Sequence, residues 1–186
     1  IKDYKLEYLY KLIGYVPQKA VMFNGTVNSN IAYGDAKEVI TDKAVKEAAK
    51  VAQADDFVSK MDDGYASHIA QGGTNVSGGQ KQRLAIARAI AKNPEIYIFD
   101  DSFSALDYKT DAVLREELKK YTKDATSLIV AQRIGTIMNA DKIIVLDNGT
   151  SVGVGTHEEL LKNCEVYKEI ALSQLSKEEL DNAKTK

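Results

Sequence analysis

Residues 75–83 read Asn75-Val-Ser-Gly-Gly-Gln-Lys-Gln-Arg83, and the run from Gln80 to Asn93 holds small, apolar and basic residues until Asn93-Pro94 closes it. The absence of glycine and proline from that run predicts a helix, and the Gly78-Gly79 turn opens directly onto it. Two residues without side chains let an anion approach the backbone closely. The unpaired N–H groups and positive dipole end of the helix then favour negative charge. Ser77 is placed either to donate its hydroxyl to that anion or to cap the helix. Taken alone, Ser-Gly-Gly is read more readily as a glycine turn with a capping serine.

Working outward, Ile96-Tyr-Ile-Phe99 reads as a buried strand, followed at once by Asp100 and Asp101 and then by Ser-Phe-Ser-Ala-Leu-Asp107. Carboxylates at the end of such a strand lie where α/β sheets bind ligands. An aspartate there suits Mg²⁺, which keeps part of its water shell. The alternative is a pair of acids that solvates a strand end. Ile13-Gly-Tyr-Val16 is a second strand, stopped by Pro17. Between 35 and 64 lies a charged stretch with Ala44, Val45, Ala48, Ala49, Val51 and Ala52 at helical spacing.

Downstream, Asp107 to Tyr121 is amphipathic and helical, Leu128 to Ala131 a strand, Ile134 to Asn139 a short helix and Ile143 to Leu146 a strand. Asp147-Asn-Gly149 is a type I′ hairpin signal, which returns the chain as a strand over 151–154. Thr156-His-Glu-Glu159 matches a capping box. The charged tail from Ser176 is expected to fray. Strands alternating with helices give an α/β class with a partly parallel sheet.

The 186 residues carry a net charge of -2, with 44% hydrophobic and 28% charged residues, an ordinary globular balance. No block of like charge forms a nucleic-acid footprint. Cys164 is the only cysteine, so an internal disulfide is excluded, which fits a reducing compartment. No apolar run approaches the roughly 18 residues that cross a bilayer, so a membrane role is expected to come through another domain.

In this order and spacing, the segments from about Ile13 to Leu161 resemble the ABC ATPase family. Val16-Pro-Gln18 resembles the Q-loop, residues 75–83 the signature motif, and Ile96 to Asp100 the Walker B strand. Ser104-Ala-Leu-Asp107 is similar to the D-loop, and Ile129-Val-Ala-Gln-Arg133 to the switch region. Val21-Met-Phe-Asn-Gly-Thr26 and Gly155-Thr-His-Glu-Glu-Leu160 look most like exporter-type transporters.

The resemblance implies a partial P-loop NTPase-like ABC ATPase domain over 1–175. Its mostly parallel sheet would be flanked by helices, with a helical signature subdomain inserted at about 28–92. It implies ATP and Mg²⁺ as cofactors. Asp100 would hold Mg²⁺, and Gln18 would contact Mg²⁺ or the attacking water and sense a transmembrane domain. Ser77, Gly78, Gly79 and Gln80 would close on a nucleotide held by a second nucleotide-binding domain. Asp107 would bridge the two sites. Asp101 and Gln132 would stand at the catalytic and switch positions, at the cytoplasmic face of the cell membrane. His157, within its helix-opening run, is read as a structural surface residue rather than the switch histidine.

Three departures from the family pattern matter. A Walker A loop, Gly-x-x-x-x-Gly-Lys-Ser/Thr, is expected before the Q-loop, yet the twelve residues ahead of Ile13 do not contain it. The chain is therefore expected to be a piece of a longer protein. The strand that carries that loop is expected beside the Walker B strand, so its loss would leave that strand with an open edge and favour self-association. Second, Asp101 stands where the family has glutamate; one methylene fewer sets the carboxylate on the order of 1 Å back, which can cost about a hundredfold in rate. Third, Gln132 stands where the family has histidine. It can hydrogen-bond but cannot carry a proton as imidazolium does.

The last two departures imply one poorly hydrolysing site within an asymmetric heterodimer, with the signature loop intact for the partner's site. A soluble ABC-type ATPase of DNA repair or translation is a second class. A non-catalytic module is a third, for the chain by itself.

Overall fold

The structure, a computed structural model, describes residues 2–34 and 39–175. The start of the charged stretch expected from Asp35, and the tail expected to fray from Ser176, lie outside the described residues. The chain divides into two compact units, Ile1–Val130 and Ala131–Lys186.

The first unit is built on three parallel strands, β1 (Ile13–Val16), β4 (Ile96–Asp100) and β5 (Thr126–Val130), in the order β1-β4-β5. A helix, α1 (Leu6–Leu12), leads into β1. Gly25–Thr26 (β2) pairs antiparallel with His68–Ile69 (β3). Between them lie α2 (Val27–Ile31), α3 (Asp42–Val51) and α4 (Asp55–Val58). The helix expected after the two glycines is α5 (Gly78–Ala91), and α6 (Tyr108–Tyr121) joins β4 to β5.

Helix α5 buries Leu84, Ile86, Ala87 and Ile90 on several faces at once, which makes it a core helix rather than a surface one. Asn93 takes a positive φ of 49° and Pro94 follows, so the helix stops where the sequence indicates. Its core neighbours are Val16 and Phe99 of the sheet and Val45, Ala48 and Ala49 of α3, the positions that recur at helical spacing.

One expectation is corrected. The Walker B-like strand β4 is not left open: it pairs with β1 on one side and β5 on the other, from Ile96↔Thr126 to Asp100↔Val130. Among the described residues, β1 and β5 each have only β4 as a neighbour, so the open edges lie at those two strands. Leu128 and Val130 of β5 are 52% and 50% exposed, on the sheet face that also carries Tyr15 and Ile98. An unpaired apolar edge of this kind favours pairing with another strand.

The second unit contains α7 (Ile134–Ile137), the hairpin β6 (Ile143–Asp147) and β7 (Thr150–Gly155), and the helices α8 (His157–Asn163) and α9 (Glu165–Gln174). Asn148 and Gly149 both take positive φ, 46° and 77°, as a type I′ turn demands. The Thr156 hydroxyl accepts from Glu159 N, and the Glu159 carboxylate accepts from Thr156 N, which completes the capping box.

His157 is structural, as expected, but it is buried, not on the surface. Only 5% of it is exposed, and its Nδ1 lies 2.7 Å from Tyr167 Oη. Its Nε2 is buried with no partner, so the neutral ring is favoured and desolvation lowers its pKa. The unfolded chain takes up a proton below the ordinary value of 6.5, which the folded unit resists. The contribution of this imidazole to stability is therefore complete above that value and declines as the pH falls toward the depressed folded one. Thermal melts of the second unit between pH 7.5 and 5.5 should show this acid loss, and His157→Gln should flatten it. An unchanged slope in that variant places the source elsewhere.

Candidate functional site

The sheet brings the carboxyl ends of β1, β4 and β5 to one edge, and Gln18, Asp100 and Asp101 gather there. Directly beyond β1, Gln18 is exposed, and its Nε2 donates to Asp101 Oδ2 at 3.1 Å. Tyr15 Oη donates to Asp100 Oδ2, also at 3.1 Å. That bond, more than partial desolvation or the neighbouring charge, holds the Tyr15 phenol above its ordinary range. Gln18 and the Asp100-Asp101 pair, chosen from separate motifs, are thus neighbours in space. Tyr15 is a member that the motifs did not indicate.

The loop after β4 is held from three sides. Asp101 N donates to Val130 O of β5 at 2.9 Å, and the buried Ser102 hydroxyl donates to Val16 O of β1 at 2.8 Å. Ser104 Oγ donates back to Asp101 O at 2.9 Å. Asp101 itself sits at φ 44°. Aspartate is one of the few side chains that tolerate this left-handed region, and a non-glycine residue held there often marks a working position.

The donors at this edge are oxygen-rich and contain neither thiolate nor imidazole, which suits a hard cation such as Mg²⁺. Among the described residues no group of three or more His, Cys, Asp or Glu side chains is arranged to hold a metal. An ion here would take Asp100 as its protein ligand and complete its shell with water and phosphate oxygens, the usual arrangement for Mg²⁺.

At the N-terminus of α5, Ser77 is the N-cap. Its Oγ accepts from Gln80 N at 3.2 Å, and Gln80 Oε1 accepts from Ser77 N at 2.8 Å. Of the two readings of Ser77, the structure adopts the cap, while the hydroxyl proton stays available to an anion. Gln80 is occupied as the second half of the capping box. A Cβ added at Gly78 would meet nothing within 4 Å, whereas one at Gly79 would come 3.4 Å from Ala105 O. Neither glycine has a positive φ. The fold of this chain therefore gives no reason for glycine at 78.

Asp107 is exposed and caps α6, its Oδ1 accepting from Thr110 N at 3.0 Å. Hydrogen bonding to Thr110 holds its carboxyl below the usual range. In the second unit, Gln132 is exposed. The Gln174 side chain of α9 holds the segment around it, donating to Gln132 O at 2.9 Å and accepting from Ile134 N at 2.8 Å. Nothing in the sequence pattern singled out Gln174, because its role depends on α9 folding back over forty residues of chain.

A profile of the family described as ABC transporter matches residues 1–104. An uncharacterized ABC transporter ATP-binding protein of Mycobacterium bovis is 50% identical over 175 residues, covering 94% of this chain and 30% of that protein. This chain belongs to the ABC transporter family. The ABC transporter ATP-binding protein YfiB of Bacillus subtilis is 44% identical over 178 residues, covering 96% of this chain and 30% of its own length. Among solved structures, a bacterial Atm1-family ABC exporter with ATP bound superposes with a TM-score of 0.85 at 37% identity. That match covers 91% of this chain and 30% of the exporter chain. The chain thus has the ABC ATPase fold and spans about a third of the length of the relatives it matches.

The capping geometry separates stability from chemistry at the signature turn of this ABC domain. Ser77→Ala should cost about 1 kcal/mol of stability through the lost cap. Gly78→Ala should leave stability equal or raise it by up to about 1 kcal/mol, since alanine is the better helix former. Chemical denaturation of both variants checks this. A large loss for Gly78→Ala would show that the turn needs glycine for its own fold.

Proposed function

We propose that this chain forms most of one nucleotide-binding domain of an ABC exporter, whose ATP binding and hydrolysis drive solute export across a membrane. The observation that carries the reading is the meeting of Gln18 with Asp101, beside Asp100, at the carboxyl edge of the parallel sheet. The fold shared with an Atm1-family exporter that has ATP bound supports it. In this reading the domain runs over 1–175, and its helical part over about 28–92 carries the signature turn.

Asp100 holds Mg²⁺, which neutralises charge on the β- and γ-phosphates when bound. Gln18 orients the attacking water or the ion, and Asp101 is the acid beside the water. Gln132 replaces a proton-carrying histidine with an amide. Ser77, Gly78, Gly79 and Gln80 face a nucleotide held by a second nucleotide-binding domain, and Asp107 reaches across the pair. A transmembrane domain of the same transporter docks near Gln18, which sets the assembly at the cytoplasmic face of the cell membrane. No described helix is long and apolar enough to cross a bilayer. Nucleic acid has no place in this scheme.

The partner is a different chain. Asp101 and Gln132 weaken hydrolysis at this chain's own site, while its signature turn completes a competent site on the partner. In the full heterodimer, Asp101→Glu combined with Gln132→His should raise hydrolysis at this chain's own site by about ten- to a hundredfold, the reverse of a 1 Å misplacement. Trapping of labelled nucleotide, resolved by subunit, reads it. No change at that site would remove the case for a degenerate half.

The 186 residues contain no Walker A sequence, and with it they lack the lysine that reaches the β- and γ-phosphates. A strand bearing that loop would find an unpaired neighbour in β5. The chain by itself should therefore show no measurable ATP turnover in a phosphate-release assay, and robust turnover would overturn that view.

A further inference from the structure

Gln82 lies on α5, one turn beyond the signature turn, and only 2% of it is exposed. A buried amide needs a partner, and this one donates its Nε2 hydrogen to the carbonyl oxygen of Pro17 at 3.1 Å. That carbonyl belongs to the peptide that carries Gln18.

Six residues along the same helix, Arg88 fastens the other side of the Q-loop. Its Nη1 donates to Val21 O at 3.0 Å, its Nε to Asn30 O at 2.7 Å and its second Nη to Asn30 Oδ1 at 3.1 Å. The guanidinium also lies 5.2 Å from the Phe23 ring centre and 5.7 Å from that of Tyr33. Burial pushes it down to about 10, so it remains charged at neutral pH. Asn30, 1% exposed, accepts from Phe23 N and donates to Phe23 O, which locks the segment that Arg88 holds.

Residues 18–20 are thus a short span between two anchors, and both anchors are side chains of one helix. An α-helix is stiff along its axis and carries the turn at Ser77 on its N-terminus. A shift of Gln18 is therefore transmitted to α5 rather than absorbed by the loop.

We propose that Gln82 is a positioning residue that ties the placement of Gln18 to the presentation of Ser77 and Gly78, with Arg88 as the second anchor. The inference rests on the functional reading above. On that reading Gln18 senses nucleotide at this chain's own site, while the signature turn acts on nucleotide held by the partner. The link then lets occupancy of one composite site set the geometry of the other. It is built into one chain and does not pass through the membrane domain.

The test is a double-mutant cycle in the complete transporter, with ATP turnover measured for wild type, Gln18→Ala, Gln82→Met and the pair. Methionine keeps the length and bulk of glutamine and removes the donor. Each single change should lower kcat about five- to tenfold, the scale of one uncharged hydrogen bond. KM for ATP should move less than about twofold, because Gln82 touches no nucleotide. The double variant should be no slower than the slower single variant. A merely structural role predicts that the two losses multiply, and that result, or a neutral Gln82→Met in a normally folded protein, overturns the link. If Gln82→Met does not fold, Gln82→Leu in the same cycle decides by the same criterion. Absence of ATP turnover in the wild-type transporter would instead overturn the functional reading itself, and the link with it.

Discussion

Helix α5 is buried in the core of the first unit, and that burial constrains most of what surrounds it. Its apolar positions pack against β1 and against α2 and α3, so it cannot slide without opening the core. Its polar positions are few, and several are committed. Arg83 donates to Gln53 O at 2.6 Å and lies 4.7 Å from the Phe57 ring centre, Gln82 holds Pro17, and Arg88 holds Val21 and Asn30. Buried polar groups of this kind are costly unless satisfied, and here the satisfied set specifies one position for the helix. The signature turn inherits that position because Ser77 caps the same helix.

The sheet supplies the second frame. Parallel pairing aligns the ends of β1, β4 and β5, so residues far apart in the chain, Gln18, Asp101 and Val130, meet at one edge. The left-handed backbone at Asp101 turns the chain sharply after β4, and Ser102 and Ser104 hold that turn in place. The site is therefore organised by backbone hydrogen bonding as much as by its carboxylates.

Much of the fold was legible in sequence because local physics dominates it. The strand at 13–16 falls where expected. The core helix, expected over 80–93, runs over Gly78–Ala91. The turn at Asn148 and Gly149 and the capping box at Thr156 also fall where their residue types demand. The two-residue strands at Gly25 and His68 were not legible, since neither has a pattern of its own and each exists only through the other. The order of the sheet was misjudged at β4 for a similar reason: strand neighbours depend on pairing between distant segments. Of the candidate site, Gln18, Asp100 and Asp101 were singled out in sequence, and the structure brings Gln18 to Asp101. Tyr15, Gln82 and Gln174 were not, because their roles are contacts across 85, 65 and 42 residues of chain.

By itself, then, the sequence determined the family and many of the element types, which depend on spacing within short stretches. Tertiary structure alone decided how those groups are held: that Asp100 accepts from a tyrosine on β1, that His157 is buried against Tyr167, and that the helix behind the signature turn grips both sides of the Q-loop. Such contacts join residues with no common periodicity, and only closure of the core brings them within hydrogen-bonding distance.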